Sequence, residues 1–402
     1  MIPRHSLPFS AGQCFSIVAA PRMRATASDL EKAYADAMGV AEVICLPSVR
    51  AGIYLTLRAG NLQDRAVVGP AYTCDTVHEA LSRTGASVRL VDTATDSFLM
   101  SPEAIGAVAE PGCSLLLSEI YGIPYDSEAV EKRSGAHPAL TVLDLAMCVP
   151  SAARMKRLSP NEVALYSFGW GKPMYAGWGG IACFRDPVLA GRAREIRDQW
   201  IVPPTLGLRF RHAYSVFQKV AMNQRLIYGL THHQHLYRML RKRAAPLQEQ
   251  GCRQKSSGDM PPQWTRPMTA VNRKLALYSL RHITESSDLR RLQAEIYSRL
   301  LVEPGAVRGP AIDALPQSHF PVRIPAAVRD EMCDHLRGRG IDTGTLFPLP
   351  AGLSRDRYPH AARAADEVVT LPLGPSVSLD EVRMISDRVR EGLQRLGCQD
   401  RG

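Results

Sequence analysis

Short apolar stretches alternate with helix-forming stretches through the first half of this chain, and this alternation restricts its fold more than any other feature. Turn residues bound each apolar stretch, and each stretch has the length of a buried strand. The sequence predicts strands at residues 41–47, 65–69, 87–91, 114–120, 140–144, 163–167 and 180–184. It predicts helices at residues 28–39, 48–58, 75–83, 102–108 and 127–134. Apolar strands joined by helices form a mostly parallel sheet covered on both faces, so we expect an α/β fold.

One lysine occupies an unusual stretch, residues 166–180 (YSFGWGKPMYAGWGG). Lys172 is the only charged residue there, and five glycines and five aromatic residues surround it. Lysine is strongly hydrated and avoids apolar walls unless it has a partner or a covalent task. Only eight of the 49 basic residues are lysines, so chance places a lysine here less readily than in a lysine-rich chain. The alternative is a surface turn from which Lys172 extends into water.

Polar side chains stand at or just beyond the ends of several predicted strands. They are Ser48, Tyr72, Asp144, Ser167 and Lys172. Ligands of such sheets bind beyond the carboxyl ends of the strands, so we expect these residues to converge. No GxGxxG motif opens any strand, which argues against a dinucleotide site. Ser48 lies in the turn of a strand–turn–helix unit that suits a phosphate, although a serine there is more often only a helix cap.

Charge and cysteine content restrict the partners and the compartment. The net charge of +10 has no basic tail behind it, so it indicates either an acidic ligand or an arginine-rich surface. No helix shows the basic stripe of a nucleic-acid-binding protein. The nine cysteines are scattered without a CxxC pair, which fits a reducing cytoplasm. No apolar run approaches the ~20 residues that a membrane span needs. We predict a cytoplasmic protein with no nucleic-acid or membrane partner.

The remainder of the chain divides into an arm, an extra segment and a small domain. We predict an irregular N-terminal arm at 1–27, a large domain at 28–290 and a small α+β domain at 291–402. The extra helical segment, about 196–263, contains His232, His233 and His235, but no carboxylate or thiol nearby completes a metal site. We therefore predict no metal. The small domain should contain a strand at 319–325 and helices at 326–337 and 378–396.

Several motifs in register resemble one family. They are LEKAYADAMGV, SVRAGIYLTL, GPAYTC, GASVRLVD, YGIPYD, VLDLA and SFGWGKPMYAGWGG. Together they resemble the DegT/DnrJ/StrS family of pyridoxal-phosphate (PLP) dependent sugar aminotransferases, over roughly residues 29–396. The resemblance implies fold type I, with a large domain built on a mostly parallel sheet and a smaller C-terminal α+β domain. It also implies a homodimer that shares its active sites.

The resemblance assigns roles to particular residues. Lys172 would hold the cofactor as a Schiff base and then transfer protons at the substrate carbon. Asp144 would pair with the pyridinium nitrogen; the alternative is a helix-capping aspartate. The residues that would hold the phosphate are Ser167, Ser48, Val49 and Arg50, although Arg50 has the alternative of an acidic neighbour.

This sequence departs from the family pattern around the cofactor. Val49 and Arg50 replace a Gly-Thr pair, and Cys74 replaces the aromatic residue that usually stacks on the ring. Tyr72 is the predicted substitute for that ring. Met147 replaces a glutamine near the phenolic oxygen of the cofactor, and Trp178 replaces a glutamate. These changes put in doubt whether the substrate is the nucleotide-sugar that is usual for the family.

We predict a PLP-dependent aminotransferase that moves an amino group from an amino acid donor to a keto acceptor. The acceptor is either a nucleotide-linked keto-sugar or a small biosynthetic intermediate. One alternative keeps PLP but eliminates, substitutes or decarboxylates an amino acid. Another is a degenerate binding protein that uses residues 196–263 as its interaction surface. In the enzyme that segment would cover the mouth of the active site.

Overall fold

Seven strands form the central sheet. The computed structural model describes residues 1–20, 25–61, 65–231, 261–303, 305–312, 314–350 and 352–398. The strands β1 to β7 are, in chain order, Glu42–Leu46, Ala66–Pro70, Ser87–Val91, Ser114–Ser118, Leu140–Asp144, Glu162–Ser167 and Gly180–Phe184. Their order across the sheet is β1-β7-β6-β5-β4-β2-β3. Only β7 runs antiparallel to its neighbours, whereas the pairs from β3 through β6 are parallel. The predicted mostly parallel sheet is confirmed.

Helices cover both faces of the sheet. The α-helices α1 to α15 are, in chain order, Ala11–Ala19, Ala27–Met38, Val49–Ala59, Asp75–Arg83, Pro102–Val108, Ser127–Ser134, Ala152–Met155, Pro187–Trp200, Leu206–Met222, Arg225–Thr231, Ala270–Arg281, Ile283–Tyr297, Arg329–Gly338, Pro359–Glu367 and Leu379–Arg395. Every residue of β4 is buried. Its Leu115 and Leu117 pack into the core on the side of α2 and α11, and Leu116 packs into the core on the side of α3 and α8. A strand buried on both faces reads as a continuous apolar run, which explains why the sequence revealed it.

The N-terminal arm contains a helix, α1, so the prediction that the arm is irregular was wrong for residues 11–19. Helix α1 begins with a capping box, in which the Ser10 hydroxyl accepts from the Gln13 N–H and the Gln13 side chain accepts from the Ser10 N–H. The three prolines nearby concealed this Ser-x-x-Gln signal. Helix α2 is capped by Thr26, not by Ser28, because the Thr26 hydroxyl accepts from the Asp29 N–H at 3.1 Å.

The C-terminal part has a smaller core of its own. Strand β8, His319–Arg323, pairs antiparallel with β9, Val368–Pro372. The sequence predicted β8 but neither β9 nor α14. Helix α13 begins at Arg329, not at residue 326, because the preceding residues form a turn in which the Val328 N–H donates to the Pro325 carbonyl at 3.0 Å. Helix α12 runs through residues 290 and 291, so no linker lies at the predicted domain boundary.

Within the described ranges, no helix combines the length and the apolar character that a bilayer crossing requires.

Candidate functional site

A cavity of about 310 Å³ opens at the carboxyl ends of the parallel strands. Eight of the nine residues predicted from sequence line it: Ser48, Val49, Arg50, Cys74, Asp144, Met147, Ser167 and Lys172. They come from four different strand-to-helix or strand-to-loop connections, as the sheet topology requires. The ninth residue, Tyr72, does not line this cavity.

Asp144 ends β5 with its side chain fully buried against the cavity. Its carboxylate accepts hydrogen bonds from the Ser118 hydroxyl and from the Ala146 N–H, each at 3.1 Å. Burial nevertheless raises the pKa of the Asp144 carboxyl above its ordinary value, although the charge of Lys172 lowers it. The next helix begins only at Ala152, and Ser151 caps it, so Asp144 is not a helix cap. A buried carboxylate with a raised pKa is stabilised by any cation placed beside it.

Lys172 lies in a tight loop and lines the cavity together with Trp170 and Trp178. The loop is closed by two backbone hydrogen bonds of 2.9 Å, from the Phe168 N–H to the Gly179 carbonyl and from the Ala176 N–H to the Phe168 carbonyl. Phe168 itself is fully buried and anchors the loop in the core. Among the described residues, no hydrogen-bond acceptor or carboxylate contacts the Lys172 ammonium group directly. The lysine therefore points into the cavity and is available to a ligand.

The turn before α3 offers hydrogen-bond donors to an anion. The Ser48 hydroxyl caps the helix by accepting from the Ala51 N–H at 3.3 Å. The N–H groups of Val49 and Arg50 belong to the first turn, where a helix has no acceptor of its own for them. These residues and the Ser167 hydroxyl line one cavity. The helix dipole adds positive potential there, so the arrangement suits a phosphate.

Arg50 has a partner of its own. Its guanidinium lies 3.6 Å from the Glu79 carboxylate, and both side chains are partly exposed. The alternative role that the sequence left open for Arg50, a pair with an acidic neighbour, is present in the structure. An exposed ion pair at this distance is weak, so it leaves Arg50 able to turn toward an anion.

The three remaining predicted residues differ in position. Cys74 lies at the start of α4, where its sulfur accepts from the Thr76 hydroxyl at 3.2 Å. Met147 accepts from the Tyr121 N–H through its sulfur at 3.2 Å. Tyr72 is fully buried, and its hydroxyl contacts the Tyr121 hydroxyl at 2.6 Å. Tyr72 therefore supports the wall behind the cavity, and the structure does not bring it to the cavity surface.

Sequence reasoning missed several cavity residues, among them Glu119, Trp170, Lys219 and Phe347. Glu119 directly follows β4, so the rule of polar residues at strand ends would have found it. Phe347 has a left-handed backbone, with φ of 62°, which is rare for an aromatic residue and typical of functional sites. Lys219 lies on α9, within the extra segment predicted at 196–263.

The tryptophan that replaces a glutamate in the loop has a structural task. The Trp178 indole N–H donates to the Arg266 carbonyl at 3.0 Å, and its ring packs 5.5 Å from the His212 ring. His212 in turn contacts Asn272 at 2.8 Å. Trp178 therefore ties the lysine loop to α9 and to the segment before α11.

Residues 1–9 pack against the lysine loop from the other side. The His5 ring lies 5.4 Å from the Trp170 ring, and its Nδ1 is 3.2 Å from Nε2 of His319. A side chain at Gly171 would meet the His5 ring at 2.9 Å, so only glycine fits there. Further along this segment, the Ser6 hydroxyl accepts from the Ser376 N–H at 2.8 Å.

His319 is buried among cations. Burial lowers the pKa of this imidazole to about 3, and Arg290, Arg4 and Lys172 contribute in the same direction. The ring contacts the Ser318 hydroxyl at 2.8 Å through Nδ1. His319 is therefore a neutral imidazole at physiological pH.

Two other observations concern sites away from this cavity. A larger cavity of about 730 Å³ is lined by Tyr125, Arg154 and Glu162 among others, and it contains none of the predicted site residues. Among the described residues, no three metal-ligating side chains cluster. The histidine cluster at 232–235 lies outside the described residues.

Sequence comparison gives matches along nearly the whole chain. The sequence model of the DegT/DnrJ/EryC1/StrS aminotransferase family matches residues 22–228 and 231–390. The chain is 28% identical over 344 residues to dTDP-3-amino-3,4,6-trideoxy-alpha-D-glucose transaminase from Streptomyces venezuelae, which covers 82% of this chain and 77% of that protein. Residues 1–21, including His5, lie outside the matched ranges.

Solved structures share the fold. The Streptomyces venezuelae DesV structure in complex with a ketimine intermediate superposes with a TM-score of 0.65 at 23% identity, covering 94% of each chain. The sugar aminotransferase Spr1654 from Streptococcus pneumoniae, described as putative and solved in its PMP form, gives a TM-score of 0.69 at 18% identity. That match covers 98% of this chain and 100% of the other. The prediction of fold type I is confirmed.

Proposed function

This chain belongs to the DegT/DnrJ/EryC1/StrS aminotransferase family, and from that membership we propose that it aminates a nucleotide-linked keto-sugar. The predicted activity, PLP-dependent transfer of an amino group from an amino acid to a keto acceptor, is confirmed at the level of the family. The sugar acceptor rests on similarity to the Streptomyces venezuelae transaminase.

The observation that supports PLP most strongly is that Asp144 and Lys172 line the same cavity. The Asp144 carboxylate has two hydrogen-bond donors, yet burial still raises its pKa, so the site is short of positive charge. A protonated ring nitrogen beside Asp144 would supply that charge. The turn at Ser48 and the Ser167 hydroxyl would hold the phosphate. These residues fit the cofactor.

Each residue then has a defined task. When bound, PLP supplies the carbonyl that receives the amino group and the ring that accepts electrons. Lys172 would hold the cofactor and move a proton at the substrate carbon that bears the nitrogen. Asp144 would keep the ring nitrogen protonated. The Trp170 ring, which lines the cavity, would help to exclude water from the reacting atoms.

A homodimer is part of the proposal. The outer face of α9 exposes apolar side chains at helical spacing, namely Leu206 at 70%, Phe210 at 75% and Tyr214 at 69%. Such a stripe is unusual on the surface of a monomer, and a second copy of this chain would cover it.

The described cysteines are all free thiols, which supports the cytoplasm as the compartment.

The experiment is a visible absorption spectrum of protein reconstituted with PLP. The wild type should show the band of bound cofactor, and addition of L-glutamate should bleach it. Lys172→Ala should lose the band and all turnover, and Asp144→Asn should bind the cofactor more weakly. Full activity in Lys172→Ala, or a wild type that takes up no PLP, would refute the proposal.

A further inference from the structure

A second lysine faces the cavity, and it comes from the extra segment. Lys219 lies on α9, and its ammonium group is 5.4 Å from the centre of the Trp170 ring. Lys219 and Lys172 line the same cavity. Burial lowers the pKa of the Lys219 ammonium group, so its surroundings disfavour the charge.

Nothing in the described part of the chain neutralises Lys219. No carboxylate there lies within ion-pair distance of its ammonium group, and no carbonyl accepts from it. The two acids that line the cavity have other partners, since Glu119 pairs with Arg154 and the Asp144 carboxylate accepts from the Ser118 hydroxyl and the Ala146 N–H. The Trp170 ring offers a cation–π contact, which compensates only part of the lost hydration. A partly buried ammonium group of this kind is satisfied best by an anion from a ligand.

Helix α9 is held in a fixed position relative to the loop. His212 contacts Asn272 at 2.8 Å, and a side chain at Gly177 would meet Val216 at 2.4 Å. At the far end of the helix, the Asn223 amide donates to the His5 carbonyl at 3.1 Å. Because the helix is fixed at three points, the position of Lys219 at the cavity is defined before any ligand arrives.

We propose that Lys219 determines substrate specificity by binding an anionic group of the substrate, a carboxylate or a phosphate, beside the Trp170 ring. This inference rests on the proposed function, which places the reaction in this cavity. The turn at Ser48 and the Ser167 hydroxyl already provide donors for the cofactor phosphate. Lys219 reaches the cavity from helix α9, a different element, so its positive charge remains available to bind the substrate.

The test compares Lys219→Met, which removes the charge, with Lys219→Arg, which keeps it. Lys32→Met is the matched control, because Lys32 is exposed on α2 and the same charge is lost. Calorimetry on each reconstituted enzyme uses two probes: L-glutamate, which presents carboxylates, and thymidine diphosphate, which presents phosphates. A lost charge-assisted hydrogen bond should weaken one probe roughly tenfold or more in Lys219→Met. Lys219→Arg should recover most of that loss, and Lys32→Met should bind like the wild type.

The affected probe identifies the anion that Lys219 takes. Unchanged affinity of Lys219→Met for both probes would overturn the inference, as would a wild type that holds PLP but binds neither probe. If Lys219→Met loses affinity for PLP while both probes bind normally, Lys219 serves the cofactor phosphate and the inference is wrong. A wild type without the cofactor band would instead refute the proposed function, and the specificity role would fall with it.

Discussion

Removing Arg154 should destabilise the protein because it would leave a buried carboxylate half satisfied. The Glu119 side chain is 1% exposed and accepts from two Arg154 nitrogens, at 2.5 Å and 2.6 Å. Two further donors reach it, the Tyr125 N–H at 2.7 Å and the Cys148 thiol at 3.2 Å. Arg154→Met removes two of these four hydrogen bonds and the compensating charge. Breaking a buried pair in this way costs about 3–5 kcal/mol.

Two control variants separate this cause from a general loss of charge. Arg133→Met breaks the surface pair with Glu103, in which both side chains are 62% exposed, and should cost far less stability than Arg154→Met. The double variant Glu119→Gln/Arg154→Met removes both charges and keeps a side chain that accepts from Tyr125. It should recover most of the lost stability, because no charge then remains buried without a partner.

Urea unfolding followed by circular dichroism measures all of these variants at pH 7. The reasoning would be refuted if Arg154→Met lost no more stability than Arg133→Met, or if the double variant were as unstable as the single one. The active site should respond too, because the Glu119 N–H donates to the Asp144 carbonyl at 3.0 Å and Glu119 lines the cavity. Arg154→Met should therefore also bind PLP more weakly than Arg133→Met.

Two further predictions concern pH and assembly. The folded pKa of His319, about 3, lies below the unfolded value of about 6.5, so its contribution to stability is complete above pH 6.5 and is lost as the pH falls. Between pH 7 and pH 5, the free energy of unfolding of the wild type should fall by about 2 kcal/mol more than that of His319→Gln. A wild-type urea midpoint that shifts no more than the midpoint of His319→Gln between these pH values would contradict this. For assembly, light scattering should give the mass of two chains for the wild type and for the exposed control Val188→Lys. Phe210→Lys should reduce that mass to one chain, and an unchanged dimer would exclude the α9 stripe as the interface.

The sequence was sufficient to predict the site residues that lie at the ends of strands. Asp144 and Ser167 end the buried strands β5 and β6, and Lys172 follows β6. Apolar residues dominate both strands, so the sequence pattern indicates them clearly. Parallel topology then brings their carboxyl ends together without further information. The predicted order of strands and helices therefore indicated where the candidate site lies as well as which fold the chain adopts.

Residues whose positions depend on distant contacts were not predictable in the same way. Tyr72 is buried because Tyr121 and the Leu346 carbonyl, 49 and 274 positions away, meet its hydroxyl. The sequence predicted a helix around Lys219, but helical periodicity does not say which neighbour each face meets. The left-handed backbone of Phe347 likewise has no local signature, since residues that favour φ > 0 are usually glycine or asparagine.

The packing of the first residues against the lysine loop has a consequence for the order of events during synthesis. All residues of the lysine loop have been synthesised once about half of the chain has been made. His5, however, contacts His319, which lies 314 positions later in the sequence, and Ser6 contacts Ser376, which lies 370 positions later. Contacts of such separation form late in folding. Residues 1–9 therefore make these contacts only after the C-terminal part of the chain has left the ribosome. Chains that end before residue 319 lack both of these contacts, so residues 1–9 are then held less firmly against the lysine loop.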